Sequence, residues 1–326
     1  MLTGSLFRFK APTWPAPLQA FESPAVHAHR NFCVYLGGLT DGLLACAYVE
    51  SLASELDRRG WALVQPVLSS AYSQYGRGSL SRDAEEVAEL FSFLERNRGN
   101  VCNFAIVGHS TGCQDAVTLL ERGPVAVRRR LRAAVLQAPV SDREAHSLEG
   151  DDGGVLSTAE SMVAAGDGHK LIHDFLHYGF VPMTASRYVS LFGRGGPDDM
   201  FSSDHSDDYL AARLGHMGTR GQRSGRPAMP ELNLDAIEPV PDHPGLRTLF
   251  VHSGGDEYVP KTVDVSALSN RFVTAAGGAE NGAEALIIDR ATHNLAEPPP
   301  AAPEFVKRVG TVLGEVSGVG AVVTPS

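Results

Sequence analysis

Six short apolar runs constrain the fold more than any other feature of the chain. They are Asn31–Leu36, Ala62–Val67, Asn103–Val107, Ala133–Gln137, Thr248–His252 and Ala285–Ile288, each ending in glycine or a polar cluster. None alternates apolar with polar residues, so each reads as a strand buried on both faces, as in a parallel sheet. Helical patterns separate them. Leu43–Arg59 stops at Gly60, and Asp83–Arg98 sets Val87, Leu90, Phe91 and Leu94 on one face. A third helix runs from Ser110 to about Glu121, before Gly123–Pro124, and Phe305, Val306, Val309, Val312 and Leu313 mark a last one. Such strand–helix alternation predicts an α/β fold, a mostly parallel sheet with helices on both faces.

The interval 141–245 breaks the rhythm. It is rich in Asp, Gly, His and Met, with helical stretches expected at Ser157–Ala165, Lys170–His177 and Ser206–Gly215. A structureless loop of that length is foreign to a compact domain, so the interval reads as a helical cap or lid insertion. The predicted organisation is therefore a core formed by 1–140 and 246–316, a cap at 141–245 and a flexible tail at 317–326. Within the cap, Gly218–Pro244 is the loosest stretch, rich in Arg, Pro and Gly.

A formal charge of −10 over 326 residues argues against nucleic acid or an anionic membrane as partner. The one dense basic run, Arg128–Arg130, reads as a solvated helix-to-strand connection. No apolar run approaches a membrane span, and the N-terminus lacks the apolar core of a secretory leader. Cys33, Cys46, Cys102 and Cys113 include no Cys-x-x-Cys pair, so free thiols and a cytoplasmic location are expected. The sequence sets no oligomeric state.

Chemistry concentrates at Gly108–His109–Ser110–Thr111–Gly112, which follows a strand directly and opens a helix. A G-x-S-x-G in that context is a nucleophile elbow, in which glycines permit the tight turn and Ser110 stands at the sheet's carboxyl edge. A serine hydroxyl needs a base, and the base an orienting acid. His293, in Asp289–Asn294 beyond the last strand, is the only histidine after His252 and so the natural base. Asp256, just past the preceding strand, is the expected acid, with Glu257 and Asp142 as rivals. The developing oxyanion needs preorganised amides. Those of Thr111 and of Leu39, within the loop Gly37–Gly42, are expected to supply them. Asp41 in that loop caps a helix, floors the pocket, or does both.

Longer motifs carry a resemblance. Gly37–Leu44, Gly108–Asp115, Ala138–Ala145, Ser186–Leu191 with Asp198–Asp204, and Asp256–Pro260 resemble a fungal α/β-hydrolase family long described only as a domain of unknown function. That family includes intracellular esterases that open the ester bonds of fusarinine-type ferric siderophores. The resemblance implies the α/β-hydrolase fold, triad roles for Ser110, Asp256 and His293, and a small-molecule ester substrate, with a ferric siderophore as the specific case. Gly38, Asp41, His109 and Asp204 are candidate substrate contacts. No cofactor and no resident metal are expected, since iron would arrive within the substrate. His169, His173 and His177, at four-residue spacing, share a face if their segment is helical, and read as a polar face rather than a metal site. Phe175, Tyr178, Phe180, Met183, Tyr188 and Phe192 suit cap packing, with a pocket wall as the other reading. Two other functions stay open, a general carboxylesterase or thioesterase on acyl substrates and a noncatalytic hydrolase-like binding protein.

Overall fold

In the computed structural model, which describes residues 1–23, 30–99, 103–150, 153–218 and 245–317, all six apolar runs are strands of one sheet. The sheet has eight strands. They are β1 (Ser5–Phe9), β2 (Leu18–Ser23), β3 (Asn31–Leu36), β4 (Trp61–Val67), β5 (Asn103–His109), β6 (Leu131–Gln137), β9 (Arg247–Ser253) and β10 (Ala283–Ile288). Their order is β1-β2-β4-β3-β5-β6-β9-β10. Strands β4, β3, β5, β6, β9 and β10 pair in parallel, while β1 and β2 extend one edge in antiparallel fashion. The sequence reading missed β1 and β2. β1 is a half-exposed edge strand and β2 lies between it and β4, and both interleave polar residues, SLFRF and LQAFES, so neither has a continuous apolar run to betray it.

Helices α1 (Val49–Arg58) and α10 (Ala301–Val316) cover one face. Helices α2 (Leu80–Arg98), α3 (Thr111–Arg122) and α9 (Val265–Ala275) cover the other. Strand β3 shows why no alternation was visible. Phe32, Val34 and Leu36 enter the core beneath α2 and α3, while Cys33 and Tyr35 enter the core beneath α1 and α10. Trp61 is fully buried, and its Nε1 donates to the Leu313 carbonyl at 3.1 Å, tying β4 to α10. Helix α1 begins at Val49 rather than Leu43, which leaves a long loop after β3. Its Leu44 amide donates to Gln65 Oε1 at 2.9 Å. The Arg128–Arg130 run differs from expectation too. Arg128 is buried at the end of the one-turn helix α4 (Val125–Arg128), while Arg129 and Arg130 stay exposed.

Among the described residues, the chain between β6 and β9 adds no strand to the main sheet. It carries α5 (Asp142–Ser147), α6 (Val155–Ala164), a hairpin of β7 (Leu171–His177) and β8 (Val181–Thr184), α7 (Ala185–Phe192) and α8 (Asp207–Leu214). The hairpin corrects the expectation of a helix at Lys170–His177. Tyr178 and Gly179 take positive φ of 52° and 72° and turn the chain, and a strand buries Ile172 while exposing His173. His169, His173 and His177 therefore share no helix face. His177 Nδ1 instead lies 2.7 Å from the Tyr75 hydroxyl. Ile172, Met183, Tyr188 and Leu191 form a small core of their own with Tyr75. Most of Gly218–Pro244, nearly all of the 317–326 tail, and Cys102 lie outside the described residues. No described helix is long and apolar enough to cross a membrane.

Candidate active site

The turn between β5 and α3 holds Ser110 at φ 53°, ψ −122°, a conformation that costs an L-residue about 1–3 kcal/mol. Pairing on both sides of the turn maintains it. The Ser110 amide donates to the Gln137 carbonyl at 3.0 Å, and its own carbonyl accepts from the Cys113 amide at 2.8 Å. Close approach explains the flanking glycine. A Cβ on Gly112 would stand 2.3 Å from the Leu36 carbonyl oxygen and 2.9 Å from that of Gly37, so a side chain there would push the two elements apart. Gly38 meets the same limit, because its added Cβ would lie 3.0 Å from Ser110 Cβ. The loop after β3 is thus pressed against the serine.

Within that loop the Gly38 amide donates to Asp41 Oδ2 at 2.7 Å, and the Asp41 amide returns to the Gly38 carbonyl at 3.1 Å. Asp41 closes its own turn and does not cap α1. Among the described residues, the Leu39 and Thr111 amides have no protein acceptor. Both therefore remain able to receive an oxyanion.

Asp256 and His293 lie on adjacent loops beyond β9 and β10. His293 Nδ1 is 2.9 Å and 3.0 Å from the two carboxylate oxygens of Asp256, and both residues are at least nine-tenths buried. The rival acids have other partners. Glu257 Oε2 accepts the backbone N–H of His293 at 2.9 Å and so fixes the loop rather than the imidazole. Asp142 accepts from Gln114 Nε2 at 2.9 Å, and burial, helped by the nearby charge of Asp198, pushes its carboxyl up to about 7.

Ser110 and His293 open on one cavity of about 220 Å³, which Gly38, Leu39, Asp41 and His109 also line. Thr111 lies behind, lining a smaller void of about 40 Å³ with Gly38 and Leu39. Of the residues singled out from the sequence, Asp204 alone stands apart. It is ion-paired with Arg143 and Arg194 and does not reach this cavity. Its neighbours are also structural. Asp198 takes Arg187 Nη1 on both oxygens at 2.8 and 2.9 Å, and Asp199, pushed down to about 2 by the hydrogen bonds it accepts in spite of its burial, accepts from Arg143, Gly195 and Ser202. Of the aromatic and methionine residues singled out between β6 and β9, Tyr178 and Phe192 reach the cavity wall, Met183 and Tyr188 are fully buried in packing, and Phe180 is exposed.

Sequence reasoning missed Gln137. Its Nε2 donates to the His293 carbonyl at 2.8 Å, while its Oε1 accepts from the Tyr48 hydroxyl at 3.1 Å and faces His109 Nδ1 at 2.6 Å. One carboxamide thus joins the histidine loop to the strand end beside the serine. The only available signal was a polar residue closing an apolar strand, in register with His109 on the neighbouring strand.

Asp41, Cys46 and His109 bring an oxygen, a sulfur and a nitrogen within 4.8 Å of one another, the arrangement nearest to a metal set among the described residues. Its chemistry is unsuited to a metal ion. Burial pushes the Cys46 thiol up to about 11, so it keeps its proton, and Asp41 Oδ2 already holds the Gly38 amide.

The sheet order and the elbow define an α/β hydrolase. Residues 8–314 match the family described as "Protein of unknown function (DUF1749)", and the chain belongs to that family. It is 30% identical over 337 residues to the fusarinine C esterase sidJ of Aspergillus fumigatus, covering 88% of each chain. It is 28% identical over 365 residues to Esterase AN6793 of Emericella nidulans, covering 92% of this chain and 91% of that one. The solved structure of the siderophore hydrolase EstB from Aspergillus fumigatus superposes with a TM-score of 0.74 at 24% identity, covering 98% of this chain and 99% of that one. The protein is an esterase of the α/β-hydrolase type, with siderophore esterases among its relatives.

Two outcomes are expected. Asp256→Asn lowers ester turnover by about 10⁴, because the imidazole loses its orienting charge, whereas Glu257→Gln keeps an acceptor for the His293 amide and loses far less. Steady-state kinetics on an activated ester separates them, and the reverse order would move the acid to Glu257. The second concerns stability. The folded state keeps on Asp142 a proton that the unfolded chain releases in the ordinary carboxylate range, so this residue's contribution falls as pH rises from about 4 to about 7. The melting temperature of Asp142→Asn should accordingly gain on that of the parent across this interval. A difference independent of pH would contradict the assignment.

Proposed function

We propose that the protein is a serine carboxylester hydrolase in which Ser110, His293 and Asp256 form the catalytic triad. The Asp256–His293 pair, whose imidazole shares one cavity with a strained serine, carries the reading. Asp256 accepts the proton of His293 Nδ1, which leaves Nε2 as the basic nitrogen. His293 takes the Ser110 hydroxyl proton as Oγ bonds to the ester carbonyl carbon. The Leu39 and Thr111 amides receive the resulting oxyanion, and losing one such donor costs about 10²–10³ in rate. His293 then protonates the departing alkoxide as the carbon–oxygen bond breaks. Water, deprotonated by the same imidazole, attacks the acyl-serine and releases the carboxylic acid.

Relatives named for fusarinine C and siderophore hydrolysis support the finer reading that the ester belongs to a fusarinine-type ferric siderophore. On this reading the protein acts in the cytoplasm, with the segment between β6 and β9 as the cap over the substrate. Iron is then substrate cargo, and hydrolysis frees it by breaking the ligand that encloses it.

Ser110→Ala should lower turnover by about 10⁶ and abolish labelling by a fluorophosphonate, because the triad acts as a unit. Retention of most activity would refute the serine mechanism. For the substrate, mass spectrometry of ferric fusarinine C and its acetylated form after incubation should show the ring-opened products. Intact siderophore beside rapid cleavage of simple acyl esters would leave a general esterase.

A further inference from the structure

The two amides that receive the oxyanion are supported from different parts of the chain. Thr111 opens α3 directly after the turn that β5 and β6 clamp, so its amide is held by the main sheet. Leu39 has another frame. The bonds between Gly38 and Asp41 shape its turn from within. From outside, its half-buried side chain packs against the small core that holds Tyr75, Ile172, Met183 and Tyr188. Apart from Tyr75, every buried member of that core belongs to the segment between β6 and β9.

Tyr75 ties the same core to the other flank of the loop. It sits in the 3₁₀ turn Tyr72–Arg77. Its hydroxyl meets His177 Nδ1 at 2.7 Å and its carbonyl accepts from Arg187 Nε at 3.0 Å, so both bonds run to the segment between β6 and β9. Tyr75 also lines the void of about 40 Å³ behind Gly38 and Leu39. Three residues earlier, the Tyr72 ring lies against the loop, since a Cβ on Gly42 would stand 2.2 Å from Tyr72 Cε1. The Tyr72 amide donates to the Asp41 carbonyl at 3.4 Å. Gly76 closes the opposite side, where an added Cβ would come within 2.3 Å of the Pro182 carbonyl oxygen on β8. One short turn is thus wedged between the oxyanion loop and the β7–β8 hairpin.

We propose that the Leu39 side chain is a positioning group, through which the small core around Tyr75 and Met183 seats the Leu39 amide at the serine. The oxyanion hole is then completed by the segment between β6 and β9 and not by the sheet alone. The proposal rests on the serine-esterase reading and adds to it how the hole is assembled. Phe192 gives the arrangement a consequence for substrates. It belongs to the same core and lines the catalytic cavity, so a group that presses on Phe192 presses on the packing that holds Leu39. Contacts remote from the ester bond thereby raise turnover as well as affinity.

Leu39→Ala keeps the backbone amide and removes its seat. On an activated ester, kcat should fall by roughly ten- to a hundredfold with KM little changed, because the donor is displaced and not deleted. Affinity for a trifluoromethyl ketone, whose adduct with Ser110 carries the same oxyanion, should fall with kcat. Leu39→Met refills the space and should recover most of both losses. Met183 is fully buried in that core and does not line the catalytic cavity. Met183→Ala should therefore lower kcat in the parent and change it far less in the Leu39→Ala background, since it acts through Leu39. The two Leu39 variants decide the matter alone if Met183→Ala does not fold. Parent-like kcat in Leu39→Ala, a loss confined to KM, or equal costs of Met183→Ala in both backgrounds would overturn the proposal while leaving the esterase intact. If no ester is cleaved and Ser110 takes no fluorophosphonate, the esterase reading falls and this one with it.

Discussion

The site depends on a backbone turn that an isolated chain would not hold. Ser110 occupies φ 53°, ψ −122° because β5 and β6 clamp it from one side and the loop after β3 presses on it from the other. Gly112 and Gly38 are the contacts through which that pressure is applied, with no room for a side chain at Gly112 and a tight fit at Gly38. The two apolar cores on the sheet faces supply the rigidity that keeps the turn strained. Gln137 extends the same constraint. By holding the His293 carbonyl and facing His109, it joins loops from distant parts of the sequence into one assembly. Preorganisation of this kind lets a hydroxyl, an imidazole and two amides act without rearranging at the moment of reaction.

Charge is distributed with the same economy. The net charge of −10 gives no attraction for polyanionic partners and identifies none. In three dimensions the acids between β6 and β9 divide into two sets. Asp198, Asp199 and Asp204 are bound to arginines and stabilise that segment. Asp142 and Glu149 face the cavity together with Asp41 and Glu257. The second set sits beside a histidine that burial keeps neutral.

Much of this was legible in the sequence because buried parallel strands and a nucleophile elbow leave local marks. All six apolar runs are strands, and Ser110, Leu39 and His293 meet at one cavity, with Thr111 and Asp256 directly behind. What stayed hidden depends on tertiary context. The edge strand β1 and its neighbour β2 lack an apolar run because polar residues interleave with the apolar ones in both. Lys170–His177 has helix-compatible spacing, yet the turn at Tyr178–Gly179 and pairing with β8 make it a strand. Asp204 lay in a family motif but is held by Arg194 and by the sequence-distant Arg143, a pairing that no periodic pattern announces. Gln137 looks like the end of a strand until the register with His109 and the approach of the His293 loop are known.

The central claim, that Ser110 carries the acyl group between two half-reactions, is tested most directly by rapid-quench peptide mass mapping during turnover of an activated ester. The account predicts a transient mass increase equal to the acyl group, confined to the peptide containing Ser110 and gone when substrate is exhausted. An acyl group found on another residue, or product formed in a burst with Ser110 never modified, would contradict it.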